Sequence, residues 1–277
     1  MHRLSAEYFK RRHLKKYYDP VHRRLVYVGE KASPEFWDEH WRVADFQRAV
    51  RSTPNSWVAR ITKKYLSTGS VILEGGCGQA NHVYALEKYG FNVIGVDSAR
   101  QTVEKIHESA PNLRIEVGDV RELRFESDFF DGYWSRGLIE HYWNGFDSIS
   151  LECSRVLRKG GYLFLTFPCM STLRRWKARQ KKYLRWEHGD TEPFGFYQFA
   201  LNPLEVKRHF EGLGFILIRE NARGGLKGIR DETLLFHSFL QKLYDSEALS
   251  AKVAKKCINQ IADRWFGHIR FMIMQKT

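Results

Sequence analysis

The stretch Val71-Ile-Leu-Glu74-Gly-Gly-Cys-Gly78-Gln-Ala80-Asn81 decides how the rest of the chain is read. Val71 to Leu73 read as the end of a short buried strand. A carboxylate follows at once, then three glycines within four positions. From His82 to Tyr89 the apolar residues fall at helical spacing. The pattern predicts a strand, a tight glycine turn and a helix start. Glycine lets the backbone take positive φ and lets a ligand approach the main chain closely. N–H groups at a helix start have no partner within the helix and can face that ligand.

The neighbouring segments narrow the choice of ligand. Gly90 to Asp97 reads as a second buried strand ending in an acid, and Leu113 to Val120 as a third, ending at Asp119. Asp128 to His141 gives a fourth, and Gly160-Gly161 to Pro168 a fifth. Acids at successive strand ends belong at the carboxyl edge of a parallel sheet, where open α/β sheets bind ligands. A dinucleotide turn wants G-x-G-x-x-G. Here the run is Gly76-Cys-Gly78-Gln-Ala-Asn81, without the third glycine. Glu74 would repel a pyrophosphate and attract the ammonium and sulfonium of S-adenosylmethionine (SAM). An ordinary strand-to-helix turn with no ligand also fits the glycines taken alone. Asp97 lies about 20 residues past the glycines, the spacing at which a strand-end carboxylate can hold ribose hydroxyls.

From Ser70 to Pro168 the series resembles the class I SAM-dependent methyltransferases, in particular the small-molecule branch often called methyltransferase type 11. The resemblance implies a Rossmann-like, mostly parallel seven-stranded α/β sheet with helices on both faces. It implies that Glu74, Gly75, Gly76 and Gly78 line the methionine part of SAM, with Cys77 and Gln79 in the same loop. Asp97 is expected on the ribose with Ser98 beside it, and Asp119 and Val120 on the adenine. Ser135, Arg136 and Gly137 open a segment that passes beneath the transferable methyl and runs to His141. Ala80 departs from the family pattern, which often has a third glycine there.

The composition is globular: 277 residues, 43% hydrophobic and 28% charged. The N-terminus has no apolar signal region, and no run is long and apolar enough to span a membrane. Cys77, Cys153, Cys169 and Cys257 are scattered, without metal spacing. Four reduced thiols in a cytoplasmic protein, and no metal, are the expectation. The net charge of +13 suggests nucleic acid, an anionic membrane surface or an acidic substrate as partner. It concentrates in Lys10 to Arg24 and in Arg174 to Arg185, where seven basic residues occur without an acid. Such runs are commonly solvated helix faces, but like charges on a helix repel. Arg174, Arg175 and Arg179 are therefore assigned to an anionic part of the acceptor.

Residues 1–68 read as a helical N-terminal extension and 69–277 as the methyltransferase domain. Ser33 and Pro34 start a helix whose aromatic residues Phe36, Trp37 and Trp41 either pack on the sheet or fold over the cofactor, Trp37 foremost. Residues 171–200 leave the ligand-binding edge as a cap insert. Arg223 to Arg230 reads as a glycine-basic loop. Residues 226–265 form a helical insert before the last strand, adding to the cap or making an oligomer contact. A hydroxyl acceptor benefits from a general base. His141 is the first candidate, with Tyr197 and His237 from the cap behind it. The sequence thus reads as a SAM-dependent methyltransferase acting on oxygen or nitrogen of a small or medium anionic sugar, lipid or metabolite. An RNA or nucleotide-base methyltransferase and a non-catalytic SAM-binding protein are the alternatives, and a nicotinamide oxidoreductase fits least.

Overall fold

The structure is a computed structural model that describes residues 14–41, 56–233 and 237–277. Residues 10–13 of the first basic run lie outside them. The first described elements depart from the helical reading of residues 1–68. Strands β1 (Lys15–Asp19) and β2 (Arg24–Val28) form an antiparallel hairpin. Their aromatic and β-branched residues suit a pleated, half-buried surface, and Leu25 and Val26 are fully buried. Asp19 closes the turn. Its carboxylate accepts the Val21 and His22 amides and the Arg24 Nε–H. Helices follow the hairpin: α1 (Pro34–Trp41), where Ser33 Oγ accepts the Phe36 amide, and α2 (Trp57–Thr62), capped by Ser56.

The alternating part begins with β3 (Val71–Gly75), α3 (Asn81–Lys88), β4 (Asn92–Asp97), α4 (Arg100–Ser109) and β5 (Ile115–Val117). It continues with β6 (Phe130–Arg136), α5 (Asp147–Val156) and β7 (Leu157–Pro168). The cap then contributes α6 (Thr172–Arg179), β8 (Leu184–Arg185) and β9 (Phe196–Ala200). Last come α7 (Pro203–Gly212), β10 (Phe215–Arg223), α8 (Gly225–Glu232), α9 (His237–Asp245), α10 (Leu249–Phe266) and β11 (Ile269–Lys276). The main sheet has the order β10-β11-β7-β6-β3-β4-β5. It is parallel from β7 to β5, and β11 pairs antiparallel with both β7 and β10. Ile72 and Leu73 point into different cores, as do Phe164 and Leu165, so both faces of the sheet are covered. This explains why the strands read as unbroken apolar runs. The hairpin joins the cap in a second sheet, β8-β1-β2-β9.

The stretch read as a glycine-basic loop, Arg223 to Arg230, is mostly helix. Gly225 and Leu226 amides at the start of α8 donate to the side chains of Asp263 and Asn259 on α10. A Cβ on Gly225 would lie 2.6 Å from the Ala262 carbonyl carbon, and one on Gly228 would collide with the Phe266 carbonyl oxygen. These glycines serve close helix packing rather than a loop.

One buried carboxylate ties the added segments together. Glu232, at the end of α8, accepts from Arg174 Nε (3.0 Å) and Lys177 Nζ (2.7 Å) on α6. It also accepts from Lys16 Nζ (3.1 Å) on β1 and from the Tyr183 hydroxyl (2.7 Å). Burial opposes its charge, but Lys16 and Arg174 hold it at about 2. Arg174 also donates to the Cys169 carbonyl. It is buried and occupied, so it is not available to an acceptor as the sequence reading had it. Because Glu232 is depressed, its stabilisation is present above the unfolded carboxylate value and is lost as pH falls from 4.5 toward 2. Glu232→Gln leaves three cations facing one another and is expected to cost about 3–5 kcal/mol. Urea unfolding across pH should show the loss at neutral pH and a weaker acid dependence. Native stability in the variant would contradict the role given to this cluster.

Candidate active site

The site is built on the carboxyl ends of β3, β4 and β6. In the turn after β3, Gly76 and Gly78 take φ of 70° and 51°, the region that glycine reaches without strain. Gly76 and Cys77 donate their amides to the Val96 carbonyl, which fastens the turn to β4. Gly75 answers to packing, since a Cβ there would collide with the Tyr133 hydroxyl. Ala80 sits at φ 55°, so the position where the family often has glycine is left-handed here too and carries the strain of a Cβ.

Asp97 organises this turn. Its Oδ2 accepts the Gly78 amide at 2.7 Å and its Oδ1 the Ala99 amide at 2.9 Å. Burial raises its pKa, against those two amides. Helix α1 lies over the loop, with Trp41 carbons 3.2 Å from where a Gly78 Cβ would stand. Asp38 fixes that helix by accepting the Thr102 amide (2.8 Å) and hydroxyl (2.9 Å) on α4. Asp119 is engaged by Arg121, whose Nε and Nη2 reach both its oxygens, and its carboxyl lies below the usual range for that reason.

These groups surround a cavity of about 610 Å³, a size that suits a drug-sized ligand. Of the residues assigned to the cofactor, Trp37, Gly76, Gly78, Asp97, Ser98, Asp119, Val120, Arg136 and Gly137 line it. Glu74, Gly75, Cys77, Gln79 and Ser135 do not line it. His141 lines it, and Tyr197 does not. Tyr197 packs its ring against Phe36 and His141. Arg174, Arg175, Arg179 and His237 lie outside the lining. Arg175 donates to the Met170 carbonyl and the Thr172 hydroxyl, and His237 opens the exposed helix α9.

Buried polar atoms gather at the strand ends. Glu74 Oε2, Ser135 Oγ and Arg136 Nε have no hydrogen-bond partner among the described residues. Burial pushes Glu74 up to about 8, against the pull of Arg136 and the Val83 amide. The Arg136 guanidinium is lowered by burial, and Glu74 works the other way. A ligand with an ammonium and a carboxylate matches this pair, which is the amino-acid end of SAM. The same oxygens and nitrogen would otherwise be costly to bury. His141 Nδ1 lies 2.7 Å from the Tyr197 carbonyl. A carbonyl only accepts, so Nδ1 carries the proton and Nε2 keeps its lone pair. Burial lowers His141 to about 4, so it is neutral at physiological pH. Next to it Glu140 is buried and raised to about 8 by desolvation.

Several lining residues escaped the sequence reading. Tyr142 and Trp143 continue the fourth segment one step past His141 and could have been included on that ground. Arg121 stands two residues from Asp119, a spacing that allowed the pairing. Lys31 and Glu192 meet across the cavity at 3.0 Å. They are distant in sequence, and nothing in either stretch signals the contact. Among the described residues, no group of three or more His, Cys, Asp or Glu is placed to hold a metal ion. No described helix is long and apolar enough to cross a membrane.

Comparison with known proteins bears on the matched segment and the fold. Residues 73–165 match the family model described as a methyltransferase domain. Over 147 residues the chain is 29% identical to a Mycolicibacterium smegmatis (strain ATCC 700084 / mc(2)155) protein described as a probable S-adenosylmethionine-dependent methyltransferase. The aligned part is 53% of this chain and 52% of that protein, so the chain spans about half the length of this curated relative. The crystal structure of PH0226 protein from Pyrococcus horikoshii OT3 superposes with a TM-score of 0.55 at 20% identity, over 86% of this chain and 99% of that one. A SAM dependent methyltransferase from Archaeoglobus fulgidus gives 0.53 at 15% identity, over 87% and 99%. At such identities the two structures speak for the fold alone. Residues 73–165 are thus similar to a methyltransferase domain, and the chain shares its fold with the two superposed structures.

The raised Glu74 gives a test of the cofactor site. Without a cation it holds a proton at neutral pH, and a bound ammonium favours its carboxylate. Binding of SAM should therefore release a proton below about pH 8, and affinity should rise with pH up to that value and then level. Calorimetry in two buffers of different ionisation enthalpy reads the proton directly. Glu74→Gln should abolish the release. Proton release of equal size in that variant would remove Glu74 from the site.

Proposed function

We propose that the chain transfers a methyl group from SAM to oxygen or nitrogen of a small-molecule acceptor held against an aromatic wall. The observation that carries this reading is the buried Glu74–Arg136 pair, each with one polar atom left without a partner, with Arg136 lining the same cavity as a neutral His141. Bound SAM would supply a methyl on a sulfonium, already a good leaving group. Glu74 would take its ammonium and Arg136 its carboxylate. Asp97 would accept the ribose hydroxyls on lone pairs that Gly78 and Ala99 leave over. Val120 would face the adenine, with Asp119 shared between the base and Arg121.

Much of the rate would then come from orientation. Trp37, Trp41, Tyr142 and Trp143 give flat apolar walls. His141 Nε2 is placed to accept a hydrogen bond from an acceptor hydroxyl or amine. The proton made acidic by methyl transfer would pass to that nitrogen. A base with a pKa of about 4 is weak before transfer but sufficient for so acidic a proton.

The charge of the wall bears on the acceptor. Lys31, Arg121 and Arg136 are offset by Asp97, Asp119, Asp147 and Glu192. The wall is not basic, which weighs against nucleic acid and against a strongly anionic acceptor. It favours a neutral or singly charged molecule with a flat or apolar body.

His141→Ala is expected to lower kcat by about 10²–10⁴ and to leave SAM affinity nearly unchanged. Since His141 is neutral above about pH 4, the native kcat should not fall on its account between pH 8 and 5. Turnover profiles of the native and variant enzymes test both statements. Unaltered kcat in the variant would mean that positioning alone suffices or that another group takes the proton.

A further inference from the structure

Helix α9 buries none of its residues, although it carries Phe239, Leu240, Leu243 and Tyr244. Phe239 is 67% exposed. On α10, Leu249, Val253, Cys257, Ile261 and Trp265 follow one another at intervals of four, and all are exposed. Leu249 and Ile261 are each 79% exposed. Side chains spaced by four form a continuous ridge on a helix surface. One residue earlier on the helix runs a second exposed row: Lys252, Lys256, Gln260 and Arg264. The Arg264 guanidinium lies over the Trp265 ring at 5.4 Å. An apolar ridge of this extent on a water-soluble surface marks a contact site.

The acids nearby do not cancel the basic row. Asp263 accepts the Gly225 amide and so caps α8. Glu247 pairs with Lys252 at 3.1 Å, which leaves Lys256 and Arg264. Helix α6 packs against α10. Its segment exposes Arg175, Arg179, Lys181 and Lys182 beside Trp176. The basic run that the acceptor cavity does not use thus begins on a helix packed against α10.

The face also stands at a telling edge. Arg223 pairs with Ile269, and Ile269 with Pro168, the last residue of β7. The insert α8 to α10 therefore emerges at the carboxyl edge of the parallel strands, where the cavity lies.

We propose that the α9–α10 face docks the protein on an anionic lipid bilayer. The apolar ridge enters the boundary between headgroups and acyl chains, and the basic row meets the lipid phosphates. A second copy of the chain is a poorer occupant. An antiparallel twofold pairing of α10 along its ridge would set the basic row against its own copy. The inference rests on this face alone, not on the methyl-transfer reading.

The test is sedimentation of the full chain with phosphatidylcholine vesicles, with and without phosphatidylglycerol. The protein should partition onto the anionic vesicles only, and raised salt should release it. Ile261→Glu with Trp265→Glu should weaken partitioning more than about tenfold. Lys256→Gln and Arg264→Gln should each weaken it about fivefold. These side chains are exposed, so the melting temperature should stay native and show that the variants fold. No partitioning of the native chain onto anionic vesicles overturns the proposal, as does equal partitioning by the Ile261/Trp265 variant. A native dimer that this variant dissociates, seen by sedimentation equilibrium without vesicle binding, also overturns it and assigns the ridge to a second copy.

Discussion

An acid and a base buried without a full set of partners at the ends of adjacent strands are the constraint on which the site depends. Glu74 is the next-to-last residue of β3, and Arg136 ends β6. Their strands are parallel neighbours, so their carboxyl ends meet. Placing ionisable groups in a dry interior is costly, and proteins keep them there where a ligand or a reaction makes use of them. The rest of the strand-end chemistry follows from this. The glycine turn must bend back so that its amides reach Val96, and Asp97 must hold Gly78. Each contact brings main chain close to the place where a zwitterionic ligand would be held.

The second requirement is a roof, and the chain makes it from parts that are remote in sequence. Asp38 secures α1 to α4, and Trp37 and Trp41 then stand over the glycine turn. Glu232 binds the hairpin, α6 and α8 through three cations. The hairpin pairs with β9, whose Tyr197 carbonyl fixes the tautomer of His141. A disturbance at Glu232 is thus connected to the histidine through β1, β2 and β9. The Lys31–Glu192 pair joins the two sides of the roof at the cavity itself.

The parallel strands and their terminal acids were legible in the sequence because each is local: a buried run, an acid, a turn. The hairpin over residues 15–28 was not, because its apolar residues are buried by β9, some 170 residues later in the chain. The same distance hid the fate of Arg174. A run of seven basic residues looks like an anion site until Glu232, far along the chain, is seen to neutralise part of it. Helix α8 was read as a loop because Gly224, Gly225 and Gly228 suggest one. Only the packed α10 reveals why Gly225 and Gly228 tolerate no side chain. His141 was legible as a candidate, but its protonation state was not, since burial sets it, and the Tyr197 carbonyl across the cap sets its tautomer.

The most direct measurement of the central claim is a crystal structure of the chain with S-adenosylhomocysteine. The account predicts the amino-acid end of that molecule between Glu74 and Arg136, its ribose on Asp97, and its sulfur turned toward His141. A product bound elsewhere, or with its amino-acid end away from Glu74 and Arg136, would contradict it.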